Sequence, residues 1–216
     1  MSAVIRRGGL ALAIAGVMAL ATVTPSRASE SVLTVEQQQT VYEAMVRDGM
    51  DPAVALEESR GEHADVYPVR YTEEVDASEP QKVQNREVPG ARVGGTCTGY
   101  TRAIAHTKTA YTVYGAALFW HRLSVYWCYN HKAVTAAWST RSQSTSTFAS
   151  VGGWYFDKYT EYSENLYTYN GRVNGGAAFV SEGLWRACAS RGVGCWSARS
   201  LRPRVYAHYD GSYSAY

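Results

Sequence analysis

The chain has 216 residues; taking off a 28-residue export signal leaves 188, enough for one domain of ordinary size plus an extension. No stretch beyond that signal is apolar enough to span a membrane, and the four cysteines include no C-x-x-C pair, which argues against a zinc site. The formal charge of +2 conceals an asymmetry: Glu30 to Thr96 carries fourteen acids against six bases, and Cys97 to Tyr216 five acids against twelve bases.

Arg6 and Arg7 precede an apolar and small-residue run from Gly8 to Val23, and Ser26-Arg27-Ala28 offers small residues for cleavage. This reads as a secretory signal peptide over 1–28, its core of about fifteen residues being shorter than a membrane span. The Arg6-Arg7 pair leaves the general or the twin-arginine export route open. The expected location is extracellular.

Residues 29–60 read as a two-helix acidic arm. Thr34-Val35-Glu36-Gln37 has capping-box form, Val41, Met45 and Val46 recur at helical spacing, and Gly49 suits a left-handed helix end. Asp51-Pro52 then offers a second start. Residues 61–96, rich in charge and proline, read as a linker. The arm is either a cover or pro-segment docked on the basic part, or a solvated tether.

All six tryptophans, all four phenylalanines and fourteen of the seventeen tyrosines lie beyond residue 96, so 97–216 reads as the folded domain. Tyr100 to Lys108 alternates. From Tyr114 to Lys132, period two places Ala117, Phe119, His121, Leu123, Val125 and Trp127 on one face, with a bend expected near Gly115 and a turn at Asn130-His131. Val134 to Ser146 alternates and turns hydroxyl-rich, as an edge strand or one with a wet face does. Gly152-Gly153 and Gly175-Gly176 read as turns, and Asn170-Gly171 and Asp210-Gly211 as hairpins. No helix is expected past residue 96. The fold class is therefore all-β, an antiparallel β-sandwich preceded by a short helical arm, with a small closed β-barrel as the alternative.

An even cysteine count in an exported chain reads as two disulfides. The glycine-bearing loop between them favours Cys188-Cys195, leaving Cys97-Cys128. On the loop-entropy model these contribute about 2.5 and about 3.5 kcal/mol respectively.

Chemistry is harder to find. There is no G-x-S-x-G or H-E-x-x-H, and no cofactor or metal is expected. A hydrolase would have to draw on Glu182 or Asp157, from the few acids of the domain. What remains is an aromatic and basic exterior. Its candidate binding residues are Tyr155, Tyr159, Tyr167, Tyr169, Arg172, Arg202 and Arg204, continued by Tyr206, Tyr209, Tyr213 and Tyr216. Tyrosines stack on flat rings, and arginines pair with phosphate or carboxylate.

Several fragments resemble a known pattern: W-C-Y-N-H-K from Trp127, V-T at Val134, G-G-W at Gly152, F-V-S-E-G-L-W-R-A-C ending at Cys188, G-C at Gly194 and D-G-S-Y at Asp210. They are similar to an uncharacterised family of small secreted β-rich actinobacterial proteins, over about Val113 to Tyr216. Asn-His after W-C-Y departs from its Asp-Gly or Asn-Gly turn. The resemblance implies export, disulfides and a β fold, and transfers no site residues. The leading reading is a non-enzymatic interaction module for an anionic cell-envelope polymer, a polysaccharide or another secreted protein, with no nucleic acid. The alternatives are a toxin or inhibitor matured by loss of the acidic arm, and a hydrolase.

Overall fold

Alternating segments bury one face, and two such faces are brought together in the computed structural model, which describes residues 33–216 apart from Arg92. The expected signal peptide lies outside the described residues. The first sheet is a meander of β4 (Thr96–Tyr111), β5 (Ala117–Tyr129) and β6 (Val134–Thr145). Strands β1 (Arg70–Ala77) and β2 (Gln81–Glu87) follow one another along the free edge of β4, and β3 (Val93–Gly94) borders β6. In the second sheet β7 (Trp154–Tyr169) and β8 (Arg172–Ser190) form a long hairpin. Strands β9 (Val193–Leu201) and β10 (Arg204–His208) line the other side of β8, and β11 (Tyr213–Ala215) adds to β10. The chain passes from the first sheet to the second once, through the short helix α3 (Thr147–Val151).

The expected sandwich is what forms: two antiparallel sheets, neither of them closed into a barrel. The side where β6 meets β7 is joined by side chains. The amide and hydroxyl of Ser139 and the hydroxyl of Tyr162 all donate to Glu164 Oε1, at 3.0, 2.6 and 2.6 Å, and Tyr159 donates to Gln143 at 2.7 Å.

The apolar face expected for Tyr114 to Lys132 is the centre of the core. Phe119, His121, Leu123, Val125 and Trp127 are at most 1% exposed; Ala117, at the strand's start, is exposed. Against them pack Phe179, Val205 and Ala207 of the second sheet, and Phe119 stacks on Trp185 with ring centroids 4.9 Å apart. Each fully buried indole finds an acceptor, as a buried N–H must. Trp127 donates to the carbonyl of His208, Trp154 to that of Val66, and Trp185 to Thr145 Oγ1.

Three expectations change. The stretch 61–96 is not a linker. It holds a turn of 3-10 helix at Ala64–Val66, then β1 and β2, whose polar side chains carry little apolar periodicity because backbone pairing to β4 holds them, and then β3, which pairs with β6 and buries Val93 in the core. Gly175-Gly176 is no turn but lies inside β8, where a Cβ on Gly175 would meet the carbonyls of Tyr169 and Arg172 at 2.7 and 2.8 Å. And one turn of helix, α3, does follow residue 96, because Ser146 caps it by accepting from the Ala149 amide.

The arm folds as expected locally: α1 (Val35–Arg47) carries the full Thr34/Gln37 capping box, and α2 (Pro52–Glu58) starts from an Asp51 cap. Val41, Met45, Ala55 and Tyr67 make a small apolar cluster joined by Val113 from the β4–β5 turn. The charge asymmetry is partly resolved by pairs from the arm and from β1 to the basic part. Asp48 pairs with Arg199 at 3.0 Å, Glu73 with Lys108 at 2.7 Å, and Asp76 with Arg122 at 3.9 Å.

Both expected disulfides are present, Cys97–Cys128 and Cys188–Cys195, and no free cysteine remains. Two structural disulfides are the mark of an oxidising compartment. Among the described residues no helix is long and apolar enough to cross a membrane.

Two histidines are wholly buried. His106 lies 3.2 Å from both the Arg204 carbonyl and Glu73 Oε2, tying β4, β10 and β1 together. His121 faces the Ser142 carbonyl with Nδ1 and the Ser181 hydroxyl with Nε2, so a neutral ring donating from Nδ1 satisfies both. Burial pushes its pKa down to about 4. An unfolded histidine takes its proton near pH 6.5, so below that pH the unfolded chain binds more protons. The contribution to stability is full above pH 6.5 and declines by about 3 kcal/mol as pH falls to 4. Burial lowers His106 and His208 in the same direction. Urea midpoints are expected to fall between pH 7 and pH 4.5, and His121→Gln to flatten the slope; an unchanged slope in that variant would assign the effect elsewhere.

Candidate functional site

The Asn170-Gly171 turn, both residues with positive φ, sets the register of the β7–β8 hairpin and places Tyr167 opposite Gly176 and Tyr169 opposite Arg172. Strand β10 then sets His208 opposite Gly176 and Tyr206 opposite Ala178. Alternation sends these tyrosines and His208 to the outer face, because Ala177, Phe179, Val205 and Ala207 occupy the inner one.

Small residues on β8 leave room for rings to lie on the sheet. A Cβ on Gly176 would overlap the Tyr167 ring, so that ring rests directly on the glycine. Tyr167 contacts Tyr206 at 6.2 Å and Tyr169 at 6.2 Å, Tyr206 contacts Tyr216 at 6.0 Å, and Tyr169 stacks flat on His208 at 3.8 Å. Tyr216 is 61% exposed and Tyr206 and Tyr167 are half-buried, so the cluster is open to solvent on one side. Burial, with neighbouring Tyr169, Tyr206 and Tyr216, pushes the Tyr167 phenol up to about 12. It stays a neutral hydroxyl able both to donate and to accept.

The other candidates are spread elsewhere. Tyr155 lies by the second disulfide, its hydroxyl 3.6 Å from Cys188 Sγ and accepting from the Gly192 amide at 3.0 Å. Tyr159 is turned between the sheets, under the Arg141 guanidinium at 3.8 Å. Arg202 is paired with Glu161, and Arg204 sits in the field of Glu182. Arg172 donates to the His131 carbonyl at 2.7 Å and covers the Tyr209 ring at 4.4 Å. Of the seven, the structure brings together Tyr167, Tyr169 and Arg172, and adds Tyr206, His208 and Tyr216 to them.

The acids are arranged for structure. Glu182 accepts from Thr160 at 2.9 Å, and hydrogen bonding from Ser200 holds its carboxyl below the usual range, the opposite of what a general acid needs. Asp157 is engaged by Arg186 at 2.9 Å. Ser212 stands between Asp210 and His208, donating to the carboxylate at 2.6 Å and accepting from His208 Nδ1 at 2.9 Å. Its proton is thus directed away from the imidazole that would have to act as base. The His121–Ser181 pair, at 2.9 Å, has nucleophile-and-base geometry, but both residues are 0% exposed and no substrate can reach them. Among the described residues no group of three or more His, Cys, Asp or Glu could hold a metal ion.

One concavity is distant from the tyrosines: an open cleft of about 510 Å³ between α1 and the β4–β5 turn, lined among others by Glu36, Arg70, Thr112 and Tyr114. Its openness to solvent and mixed lining leave it without converging polar groups of one chemistry. No family model matches the chain, and neither does any curated protein or solved structure.

Proposed function

We propose that the protein is a secreted, non-enzymatic recognition module that holds a polysaccharide of the cell envelope against the outer face of its second sheet. The observation that carries this reading is the open cluster of Tyr167, Tyr169, Tyr206 and Tyr216, in which the Tyr167 ring lies on Gly176 and Tyr169 stacks on His208. Rigid aromatic surface loses little conformational freedom on binding, and phenol hydroxyls at its rim suit sugar hydroxyls. Among the anionic and neutral polymers open to an exported protein, the surroundings favour stacking over charge. Arg202 is neutralised by Glu161, Arg204 adjoins Glu182, and Arg172 is occupied by a carbonyl and a ring.

Sedimentation with insoluble β-linked cell-wall glycan tests this. The protein is expected to be retained at low and at high salt, since stacking is not screened. The Tyr206→Ala, Tyr216→Ala double variant is expected to bind about tenfold or more weakly at an unchanged melting temperature, as loss of two stacking rings implies. Failure of the native protein to sediment at low salt, or equal retention of the variant, would sink the reading.

A further inference from the structure

Of the two disulfides, one is sealed and the other is open on one side. Cys97 and Cys128 are both 0% exposed. Cys195 is exposed near the end of the β8–β9 hairpin, while its partner Cys188 is 3% exposed, so this bridge presents one residue to solvent and keeps the other covered. The covered sulfur has a neighbour able to influence it. A disulfide sulfur carries no proton, so across the 3.6 Å between the Tyr155 hydroxyl and Cys188 Sγ the phenol is the donor. Its oxygen meanwhile accepts from the Gly192 amide at 3.0 Å, which fixes where the hydroxyl stands. The Arg191 guanidinium lies 5.5 Å from the centre of the Tyr155 ring and brings a positive charge to the same end of the hairpin.

We propose that Cys188–Cys195 is a thiol–disulfide exchange site, opened by a small thiol that attacks Cys195 and expels Cys188. It is independent of the tyrosine cluster on the outer face. Exchange is fast where the attacked sulfur can be reached and the leaving sulfur is stabilised as an anion. Exposure of Cys195 supplies the first condition, and the Tyr155 hydrogen bond to Cys188 the second. In the step itself the thiolate sulfur bonds to Cys195 Sγ, the bridge breaks, and its electron pair stays on Cys188 Sγ. A phenol is a weaker acid than a thiol, so the proton remains on the Tyr155 oxygen and is shared through the hydrogen bond. A second thiolate then attacks the small thiol's sulfur in the mixed disulfide and releases Cys195, so that two thiols become one small disulfide and the bridge becomes two thiols. The fold holds through the exchange. Backbone pairs from Gly183–Leu201 to Ala187–Ser197 on one side and Ser190–Val193 on the other keep Cys188 opposite Cys195. Reclosure is therefore intramolecular, and the Cys188 thiolate can return to Cys195 and expel the small thiol.

Anaerobic incubation of the full chain with reduced glutathione, followed by acid quench, blocking of free thiols with N-ethylmaleimide and tryptic mapping, tests the site. Trypsin cuts after Arg191, so Cys188 and Cys195 are read on separate peptides. Cys188–Cys195 is expected to open at least about tenfold faster than Cys97–Cys128, with glutathione on Cys195 and the blocking group on Cys188. Tyr155→Phe keeps the ring and removes the donor, and is expected to slow the opening about threefold or more. A merely structural role for that hydroxyl gives the opposite sign, because a loosened hairpin would expose the bridge and open faster. Glutathione on Cys188, equal opening of the two bridges, no opening of either, or a Tyr155→Phe chain that opens as fast as the native one or faster would overturn the proposal.

Discussion

A chain that begins at Thr96 is expected not to fold cooperatively. Strand β4 would lose both of its outer neighbours, eight paired residues of β1 and the ladder of β2, and present a bare edge along its whole length. Trp154 would lose the Val66 carbonyl that accepts its indole N–H at 2.9 Å, and Trp196 would lose the His63 ring stacked on it at 4.5 Å. Arg199, whose side chain is only 18% exposed, would be left without Asp48. An unpaired buried donor costs about 1–3 kcal/mol and a broken buried charge pair about 3–5 kcal/mol. Those terms, with the lost ladder and apolar contact, rival the roughly 5–15 kcal/mol that holds an ordinary domain folded. Circular dichroism of the tryptophan bands during urea unfolding reads the result directly. A sharp transition of near-native midpoint in the shortened chain would mean that the helical arm and its strands are dispensable for folding, and would favour maturation by removal of the arm.

The two disulfides are expected to differ in weight. Cys97 and Cys128 lie 31 residues apart, are wholly buried, and pack with Ala136, Val83 and Trp138. Replacing both by alanine is expected to cost about 3.5 kcal/mol and to lower the melting temperature by about 10 °C. The Cys188–Cys195 bridge closes a loop of seven at a hairpin whose ladder already aligns the same two residues, and Cys195 is exposed. Its removal is expected to cost about 2.5 kcal/mol or less. Denaturant midpoints of the two double variants decide the order, and equal losses would show that chain length between the cysteines is not what sets their contribution.

Local chemistry made much of this fold legible. The period-two face of β5, the Asn170-Gly171 and Asp210-Gly211 turns, the Thr34 capping box and the Cys188–Cys195 bridge each depend on residues close in sequence, and with that bridge made only Cys97 and Cys128 remain to pair. β1 and β2 escaped because a strand held by backbone pairing at a solvent-facing edge has no need of apolar alternation. Their sequences, R-Y-T-E-E-V-D-A and Q-K-V-Q-N-R-E, carry charge where a central strand carries valine. Gly176 could be seen as a glycine, but the Tyr167 ring that requires it comes from the neighbouring strand. The same boundary divides the candidate site. Tyr167, Tyr169 and Arg172 share one hairpin and could be placed together from its turn, whereas Tyr206, His208 and Tyr216 join them through the β8–β10 register, which long-range packing sets.

The single passage between the sheets through α3 shapes how the molecule must assemble. Every strand from β1 to β6 belongs to one sheet and every strand from β7 to β11 to the other, so each lobe is a contiguous stretch of polypeptide. Hairpins can close within each lobe without waiting for the other, which keeps the entropic cost of loop closure modest. The demanding step is the docking of two finished lobes, because only then do Phe119 and Leu123 meet Trp185 and Phe179. Until that moment each lobe presents a sticky apolar face to its surroundings, and the lobe emerging first during synthesis carries the one built on β5.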